Sequence, residues 1–343
     1  MSKRFPALLA FATALVSQSA LAQTKAASKP PACDRPCLEA YVDRYLDAML
    51  AHDPAKAPFA PAYRFTENGQ RLLNGDGLWN TMTGKGTFRV FVTDVEAQEV
   101  AFMGSISEAG APAMIGLRLK IQNKQITEAE HFIQRSPSSA VGFERIGYRW
   151  PNSVPPAERM SREDLVRVAN MYFSGMQRND GKGDYPFADD CNRIENGGNS
   201  TNQPTPPGQQ RPDPKTATGY SGQWSCMEQF KSGLLHFVSR IRDRRTVAVD
   251  QERGLVFVFG FFDHMAGDTR DFEIPGGRKV SAGPQQPYTW QIVELFQIEK
   301  NKIHQIQAIM ERSPFGMNAG WSSWEDGLSD RGRDVAKQGM GAK

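Results

Sequence analysis

The sequence has almost no imbalance of charge, with 41 Lys and Arg residues against 38 Asp and Glu residues. These charges are scattered along the chain rather than grouped in blocks. Proteins that bind nucleic acids electrostatically carry a clustered excess of basic residues. We therefore expect no nucleic-acid partner.

Three catalytic signatures are also absent. The chain has no Gly-x-Ser-x-Gly element, no phosphate-cradling Gly-rich loop before a helix, and no His-Glu-x-x-His pair. The remaining sequence implies no nucleotide, metal or flavin, so we expect a protein that works without a cofactor.

Long apolar runs are missing except near the N-terminus. There Met1–Arg4 is positively charged, an apolar stretch runs from Phe5 to about Val16, and small residues stand at Ala20 and Ala22. This order is typical of a secretory signal peptide cleaved after Ala22. The alternative is a retained anchor, but the stretch is shorter than the about 20 residues that span a bilayer. We predict a periplasmic or secreted protein with no membrane contact after cleavage.

Cysteine is scarce, with four residues in the chain. An even number of cysteines in an exported protein favours disulfides. We favour Cys191 with Cys226, which bracket an irregular stretch, and Cys33 with Cys37, although three pairings are open. A metal site is the weaker alternative, because no histidine lies at ligand spacing from any cysteine.

What the sequence does contain is an internal repeat. The segment that begins at Leu38 aligns without a gap with the segment that begins at Leu165, and Tyr45 aligns with Tyr172. Further landmarks match in the same order: Asp53 with Asp180, Phe59 with Phe187, Glu67-Asn68-Gly69 with Glu195-Asn196-Gly197, Asp94 with Asp250, and Arg135-Ser136-Pro137 with Arg312-Ser313-Pro314. Ordered matches of this kind predict a duplicated domain.

Each half predicts a helix followed by antiparallel strands. Apolar residues recur at helical spacing after Leu38 and after Leu165, and the Asn-Gly pairs predict turns. This order is an α+β layout in which N-terminal helices pack on a curved, mainly antiparallel sheet. The predicted strands are Phe88–Thr93, Val100–Ser105, Ala113–Ile121, Ile126–Arg135, Thr246–Val249, Leu255–His264, Thr289–Ile298 and Ile303–Arg312.

The predicted organisation therefore has two tandem domains. We place a signal peptide at 1–22, a linker at 23–32, a first domain at 33–149, a linker at 150–160, a second domain at 161–324 with an insertion at 198–225, and a mobile tail at 325–343. A helix from Met227 to about Arg242 and a polar excursion at Phe272–Pro287 belong to the second domain.

These features resemble the nuclear transport factor 2-like superfamily, which includes SnoaL-like polyketide cyclases and ketosteroid isomerase. The resemblance rests on the opening helix, the Glu-Asn-Gly element, Gly77-Leu78-Trp79 and the closing Arg-Ser-Pro. More narrowly, the phrases Thr66-Glu67-Asn68-Gly69 and Gly75-Asp76-Gly77-Leu78-Trp79 resemble an uncharacterised branch of exported tandem proteins. It implies two tandem cone-shaped domains. Its members include isomerases, cyclases, dehydratases, epoxide hydrolases and non-catalytic binding modules, so the fold alone does not identify a reaction.

Strand alternation indicates which polar residues face the interior of such a cone. Glu294 lies in an apolar stripe between Trp290 and Ile298, where burial would raise its pKa and suit it to acid–base catalysis. The alternative is a structural glutamate paired with an arginine. His131 shares a face with apolar residues, and its counterpart Ala308 leaves open a purely structural core histidine.

The other candidate catalytic and substrate-binding residues are expected to line the same pocket. His264 ends an apolar-leaning face, whereas the adjacent Asp263 points the other way. Tyr45 and Tyr172 lie on the buried helix faces, where their hydroxyls are candidate oxyanion donors. The candidates for binding a substrate are Glu67, Asn68, Glu195 and Asn196 at the pocket mouth, with Trp79, Trp290 and Phe262 as apolar walls.

Together these residues support two hypotheses. The first is an exported enzyme that performs acid–base chemistry on a small hydrophobic or aromatic organic molecule, as an isomerase, lyase or hydrolase. The second is a non-catalytic periplasmic module that binds a ligand or a protein. In both, the halves would pack as an internal pseudo-dimer, with a homo-oligomer also possible.

Overall fold

The computed structural model describes residues 32–147, 153–235, 237–265, 270–282 and 286–338. The described residues form one compact unit. The predicted signal peptide and parts of both predicted linkers lie outside the described residues.

The first half is a helix packed on a six-stranded mixed sheet. Its elements are α1 (Arg35–Leu50), β1 (Phe59–Glu67), β2 (Gln70–Arg71), α2 (Leu78–Thr81), β3 (Met82–Asp94), β4 (Glu99–Glu108), β5 (Ala111–Gln122), β6 (Gln125–Gln134) and α3 (Pro137–Ile146). The strand order is β2-β1-β6-β5-β4-β3. Neighbours are antiparallel except β1 and β6, which are parallel.

The second half has the same plan. Its elements are α4 (Arg162–Arg178), β7 (Phe187–Glu195), β8 (Gly198–Asn199), α5 (Cys226–Ser232), β9 (Arg240–Asp250), β10 (Leu255–His264), β11 (Arg270–Ile274), β12 (Arg278–Ala282), β13 (Tyr288–Glu299), β14 (Lys302–Ser313), α6 (Trp324–Leu328), β15 (Arg333–Asp334) and α7 (Val335–Gln338). The main sheet runs β8-β7-β14-β13-β10-β9-β15, so only β15 is added to the order of the first sheet. The α+β prediction is therefore confirmed, with two large mixed sheets.

The opening helices begin where their sequences provide caps. The Asp34 side chain accepts a hydrogen bond from the Cys37 N–H at 3.1 Å, and Ser161 caps α4 in the same way at 3.1 Å. The predicted apolar faces, which include Tyr45 and Tyr172, are buried. All eight predicted strands are present, and their ends agree within three residues, except that β3 and β9 each begin six residues earlier than expected.

Seven strands of the described residues were not predicted, and the longest of them are β1 and β7. Each lies beside a closing strand and leads into the Glu-Asn-Gly element, whose asparagine and glycine have positive φ, as the turn prediction requires. Their sequences alternate poorly, because most of β1 is exposed and only its end is buried. A period-two pattern was therefore absent.

Three other predictions need correction. The helix expected from Met227 to about Arg242 ends at Ser232, because Gly233 adopts a left-handed conformation (φ +75°) that terminates α5. The polar excursion at Phe272–Pro287 contains part of the β11–β12 hairpin. The C-terminal residues up to 338 form α6, β15 and α7 instead of the expected mobile tail, because β15 pairs with β9 and Val335 is buried against both sheets.

The apolar residues of the described chain gather around the two sheets. One cluster lies between α1 and the first sheet, and another between α4 and the second sheet. A third cluster joins residues of both sheets, including Val90, Met103, Val247, Phe257 and Val293. The two sheets therefore share one core, with their opening helices on the outer sides.

Both favoured disulfides are present, Cys33–Cys37 and Cys191–Cys226. They are compatible with an extracellular location. None of the helices in the described part of the chain is long and apolar enough to cross a membrane.

Candidate functional site

In the first half, a polar chain runs through the core beneath α1. The Tyr45 hydroxyl lies 2.7 Å from Nε2 of His131, and both side chains are fully buried. Nδ1 of His131 lies 3.6 Å from Oε2 of Glu67, which is longer than a hydrogen bond. The parallel register of β1 and β6 places Glu67 directly beside His131.

The Glu67 carboxylate is held in its ionised form. Burial by itself would raise the pKa of Glu67, but His131, the Leu78 N–H at 2.9 Å and the Arg135 guanidinium at 2.9 Å lower it to about 2. Trp79 is fully buried and packs edge-on against the Tyr45 ring at 5.1 Å. Glu67 and Trp79 are therefore parts of the packed core beneath α1.

In the second half, Tyr172 takes the place of Tyr45 and binds a carboxyl group. Its hydroxyl donates to Oε1 of Glu294 at 3.2 Å. Four phenylalanine rings surround Tyr172 with centroids 5.3–6.3 Å away, namely Phe173, Phe187, Phe230 and Phe296. The Glu294 side chain thus lies on the apolar stripe where strand alternation placed it.

Glu294 is the most perturbed carboxyl group of this half. Burial raises its pKa to about 8, although the nearby charge of Arg193 opposes the shift. Oε2 of Glu294 has no hydrogen-bond partner among the described residues. At neutral pH most Glu294 side chains are therefore protonated and able to donate a proton.

Arg193 is a site residue that sequence reasoning missed. It is 2% exposed, and its guanidinium lies 5.7 Å from the centre of the Tyr172 ring. Its Nη1 donates to Gln229 at 2.7 Å and its Nη2 binds Glu195, which also accepts from Ser200 at 2.6 Å. The sequence could have indicated Arg193, because it lies two residues before Glu195. In a strand such as β7, residues two apart point to the same face of the sheet.

The two halves place their central polar group on different strands. In the first half His131 on β6 faces Leu117 on β5, and in the second half Ala308 on β14 faces Glu294 on β13. In each half, one polar side chain lies beneath the tyrosine, and the residue opposite it on the neighbouring strand is apolar. This exchange explains why Ala308 can replace His131 without leaving the second tyrosine unpartnered.

The asparagines of the two Glu-Asn-Gly elements bind backbone. The Asn68 amide accepts from the Ile133 N–H at 2.6 Å and donates to the Ile133 carbonyl at 3.0 Å. Asn196 makes the same pair of contacts with Met310, at 2.9 and 3.1 Å. The side-chain amides of both asparagines therefore extend the hydrogen bonding between two strands. This is a structural role, rather than the ligand contact that we considered.

The remaining predicted residues lie toward one end of the second sheet. His264 is buried, stacks on Tyr288 with centroids 4.4 Å apart, and has a pKa lowered to about 4 by burial. Phe262 pairs with Trp290 across the strands, and Trp290 is half-buried. As expected, Asp263 points away from His264, and it binds Arg242 at 2.8 Å instead.

The described residues also line three surface cavities, of about 730, 610 and 160 Å³. Neither tyrosine, His131 nor Glu294 lines any of these three. In the described ranges, no group of three or more His, Cys, Asp and Glu side chains is arranged to hold a metal ion.

Comparisons with known proteins find a match to a family model in the second half. Residues 158–310, from just before α4 into β14, match a domain of unknown function (DUF8021). No curated protein matches the chain. A solved protein of unknown function with a cystatin-like fold, from Methylobium petroleophilum PM1, is 15% identical over 36% of this chain and 99% of its own, with a TM-score of 0.26. At that score the likeness supports no argument.

Proposed function

We propose that the protein is an exported, cofactor-independent enzyme that uses Glu294 for acid–base chemistry on a small hydrophobic or aromatic molecule. One observation carries the proposal: Glu294 is a buried carboxyl group with one oxygen on Tyr172 and the other without a partner among the described residues. A buried polar atom without a partner is costly, and strongly perturbed pKa values cluster at functional sites.

The proposal assumes two tandem cone-shaped domains of the nuclear transport factor 2-like type, packed as an internal pseudo-dimer. Its support is the strand order of the two sheets, which is the same apart from the added β15, and their common core. The second domain would be the active one. The first would hold His131 as a second candidate proton carrier, bound on Nε2 by Tyr45.

The chemistry follows from the protonation state of Glu294. A protonated Glu294 can donate a hydrogen bond to an oxygen that gains negative charge in the ligand, while the Tyr172 hydroxyl holds Oε1 of the same carboxyl group. After ionisation, Glu294 can instead accept a proton from carbon or water. Half-buried Trp290 lies four residues along the same face and would form the apolar wall of the entrance. An isomerase, lyase or hydrolase is consistent with these groups.

A non-catalytic periplasmic module that binds a ligand or a protein is the second candidate. The observation that favours it is burial, because Tyr172 and Glu294 are 0% and 1% exposed. Such a module would use the same interior without consuming its ligand. Export of either kind of protein is supported by the two disulfides.

The test combines ligand identification with turnover. Purified protein is incubated with mixed aromatic and terpenoid metabolites, and retained and consumed compounds are identified by mass spectrometry. On the enzyme hypothesis, Glu294→Gln loses at least about 100-fold in kcat, while Glu299→Gln, at the end of the same strand, keeps it. If ligand is retained by both variants and none is ever consumed, the binding-module hypothesis replaces the enzyme.

A further inference from the structure

Arg244 on β9 is a buried arginine without a carboxylate partner. It is 3% exposed. Its guanidinium donates to the Ile241 carbonyl at 2.8 Å and to three neutral side chains of α4, Asn170 at 3.2 Å, Ser174 at 2.9 Å and Gln177 at 2.9 Å. No carboxylate of the described residues forms an ion pair with it. A buried charge without a counter-ion is costly, so the fold retains an uncompensated positive charge here.

This charge lies on the wall of a cavity. The cavity has a volume of about 610 Å³ and is lined by Arg244, Asn170, Ser174, Gln177, Arg178 and Arg331, among others. The Ser174 oxygen accepts from Arg244, which leaves its own proton available. The Asn170 amide nitrogen has no partner among the described residues. Hydrogen-bond donors therefore line the cavity beside Arg244, and Asp330 is the one acidic residue of the lining.

In the first half, the corresponding helix–strand contact has acidic residues that neutralise the charge of the strand. The gapless alignment of α1 with α4 places Asp43 at the position of Asn170 and Asp47 at the position of Ser174. In the first half these aspartates form ion pairs with Arg89 and Lys85 of β3, the strand that corresponds to β9. In the second half, neutral side chains stand in place of both carboxylates, but β9 still has a positively charged side chain, Arg244, at this contact.

The other charges around the cavity leave Arg244 uncompensated. Burial lowers the pKa of Arg244 to about 10, opposed only by the more distant Asp330, so the side chain stays charged at neutral pH. Asp330 is exposed and accepts from Gln177 at 2.9 Å. Arg178 and Arg331 lie at the rim, each paired with an acidic residue.

We propose that this cavity binds a small hydrophilic oxyanion, a carboxylate or a phosphate, whose oxygens replace the two carboxylates found in the first half. The oxyanion supplies the counter-charge of Arg244 and accepts from Ser174 and Asn170. The cavity is large enough to hold more than one anionic group, since small-molecule sites occupy about 300–1,000 Å³. The site is separate from Glu294, so it is independent of the proposed reaction.

The test is calorimetric titration of the purified protein with inorganic phosphate, glycerol phosphate and citrate, at constant ionic strength in chloride. At least one should bind saturably, and glycerol should not. Binding by the phosphates alone assigns a phosphate ligand, and binding by citrate alone assigns a carboxylate. Saturable binding by none of them overturns the proposal.

A double variant localises the binding. Asn170→Asp with Ser174→Asp restores the carboxylates of the first half beside Arg244, and should weaken anion binding at least tenfold without loss of thermal stability. Arg167→Glu changes the net charge equally on an exposed part of α4 and should leave binding unchanged. Equal binding by the double variant and the wild type would refute the site. The Glu294→Gln variant should bind the anion normally, which separates this test from that of the enzyme.

Discussion

Asp94 and Asp250 make the same contact in opposite directions between the two halves of the chain. The Asp94 carboxylate accepts from a backbone N–H of β9 at 2.9 Å and binds Arg162, the first residue of α4, at 2.7 Å. The Asp250 carboxylate accepts from a backbone N–H of β3 at 3.4 Å and binds Arg35, the first residue of α1, at 2.7 Å. Such reciprocity is a property of two-fold interfaces.

Replacing these aspartates should destabilise the whole chain. We expect Asp94→Asn to lower the free energy of unfolding by on the order of 3 kcal/mol, because it leaves the buried Arg162 with fewer counter-charges. Asp250→Asn should cost less, since Arg35 is 16% exposed and also binds Glu252. Urea unfolding followed by fluorescence measures both. The exposed Asp164→Asn is the matched control and should change nothing measurable. Two separate unfolding transitions would argue against the shared core.

Stability should depend on the ionisation of Glu294. Its pKa is raised to about 8 in the folded protein from an ordinary value near 4.5, so folding favours the protonated form. This contribution is fully present below about pH 4.5 and is lost as the pH rises to about 8, at about 1.4 kcal/mol for each pKa unit. Glu294→Gln should therefore gain stability relative to the wild type as the pH rises through this range, measured by thermal unfolding at each pH.

Tyr172→Phe is the companion variant for that measurement. The hydroxyl of Tyr172 lowers the pKa of Glu294, so its removal should move the loss of stability to higher pH rather than abolish it. A stability difference between wild type and Glu294→Gln that does not change with pH would mean that Glu294 ionises normally in the folded protein.

The Cys191–Cys226 disulfide should stabilise the second half more than Cys33–Cys37 stabilises the first. The two bridges span 35 and 4 residues. Because a longer closed loop restricts the unfolded chain more, we expect about 3–4 kcal/mol from the former and about 2 kcal/mol from the latter. Paired serine variants compared by thermal unfolding test the order. Mass mapping without reduction should recover Cys191 linked to Cys226, and free thiols at these positions would contradict the pairing.

The local periodicity of apolar residues in the sequence predicted most of the fold and part of the candidate site. It predicted the amphipathic helices, eight strands and the buried position of Glu294, because each of these depends on neighbours two to four residues away. It missed β1 and β7, whose polar and apolar residues do not alternate regularly, and with them Arg193 beside Tyr172. The sequence also could not predict the uncompensated charge of Arg244, because this charge is apparent only when α4 and β9 are compared with α1 and β3 in three dimensions.

The hydrogen bond between Tyr45 and His131 should contribute more to stability than an ordinary tyrosine contact. Tyr45→Phe leaves Nε2 of a fully buried histidine without a partner, and we expect a loss of about 1–3 kcal/mol in the free energy of unfolding. Tyr41→Phe is the matched control on the same helix, since Tyr41 donates to the carbonyl of exposed Lys124, which water can satisfy instead. Urea unfolding of both variants gives the comparison. Equal losses would mean that His131 finds another partner, and the closed polar core of the first half would have to be abandoned.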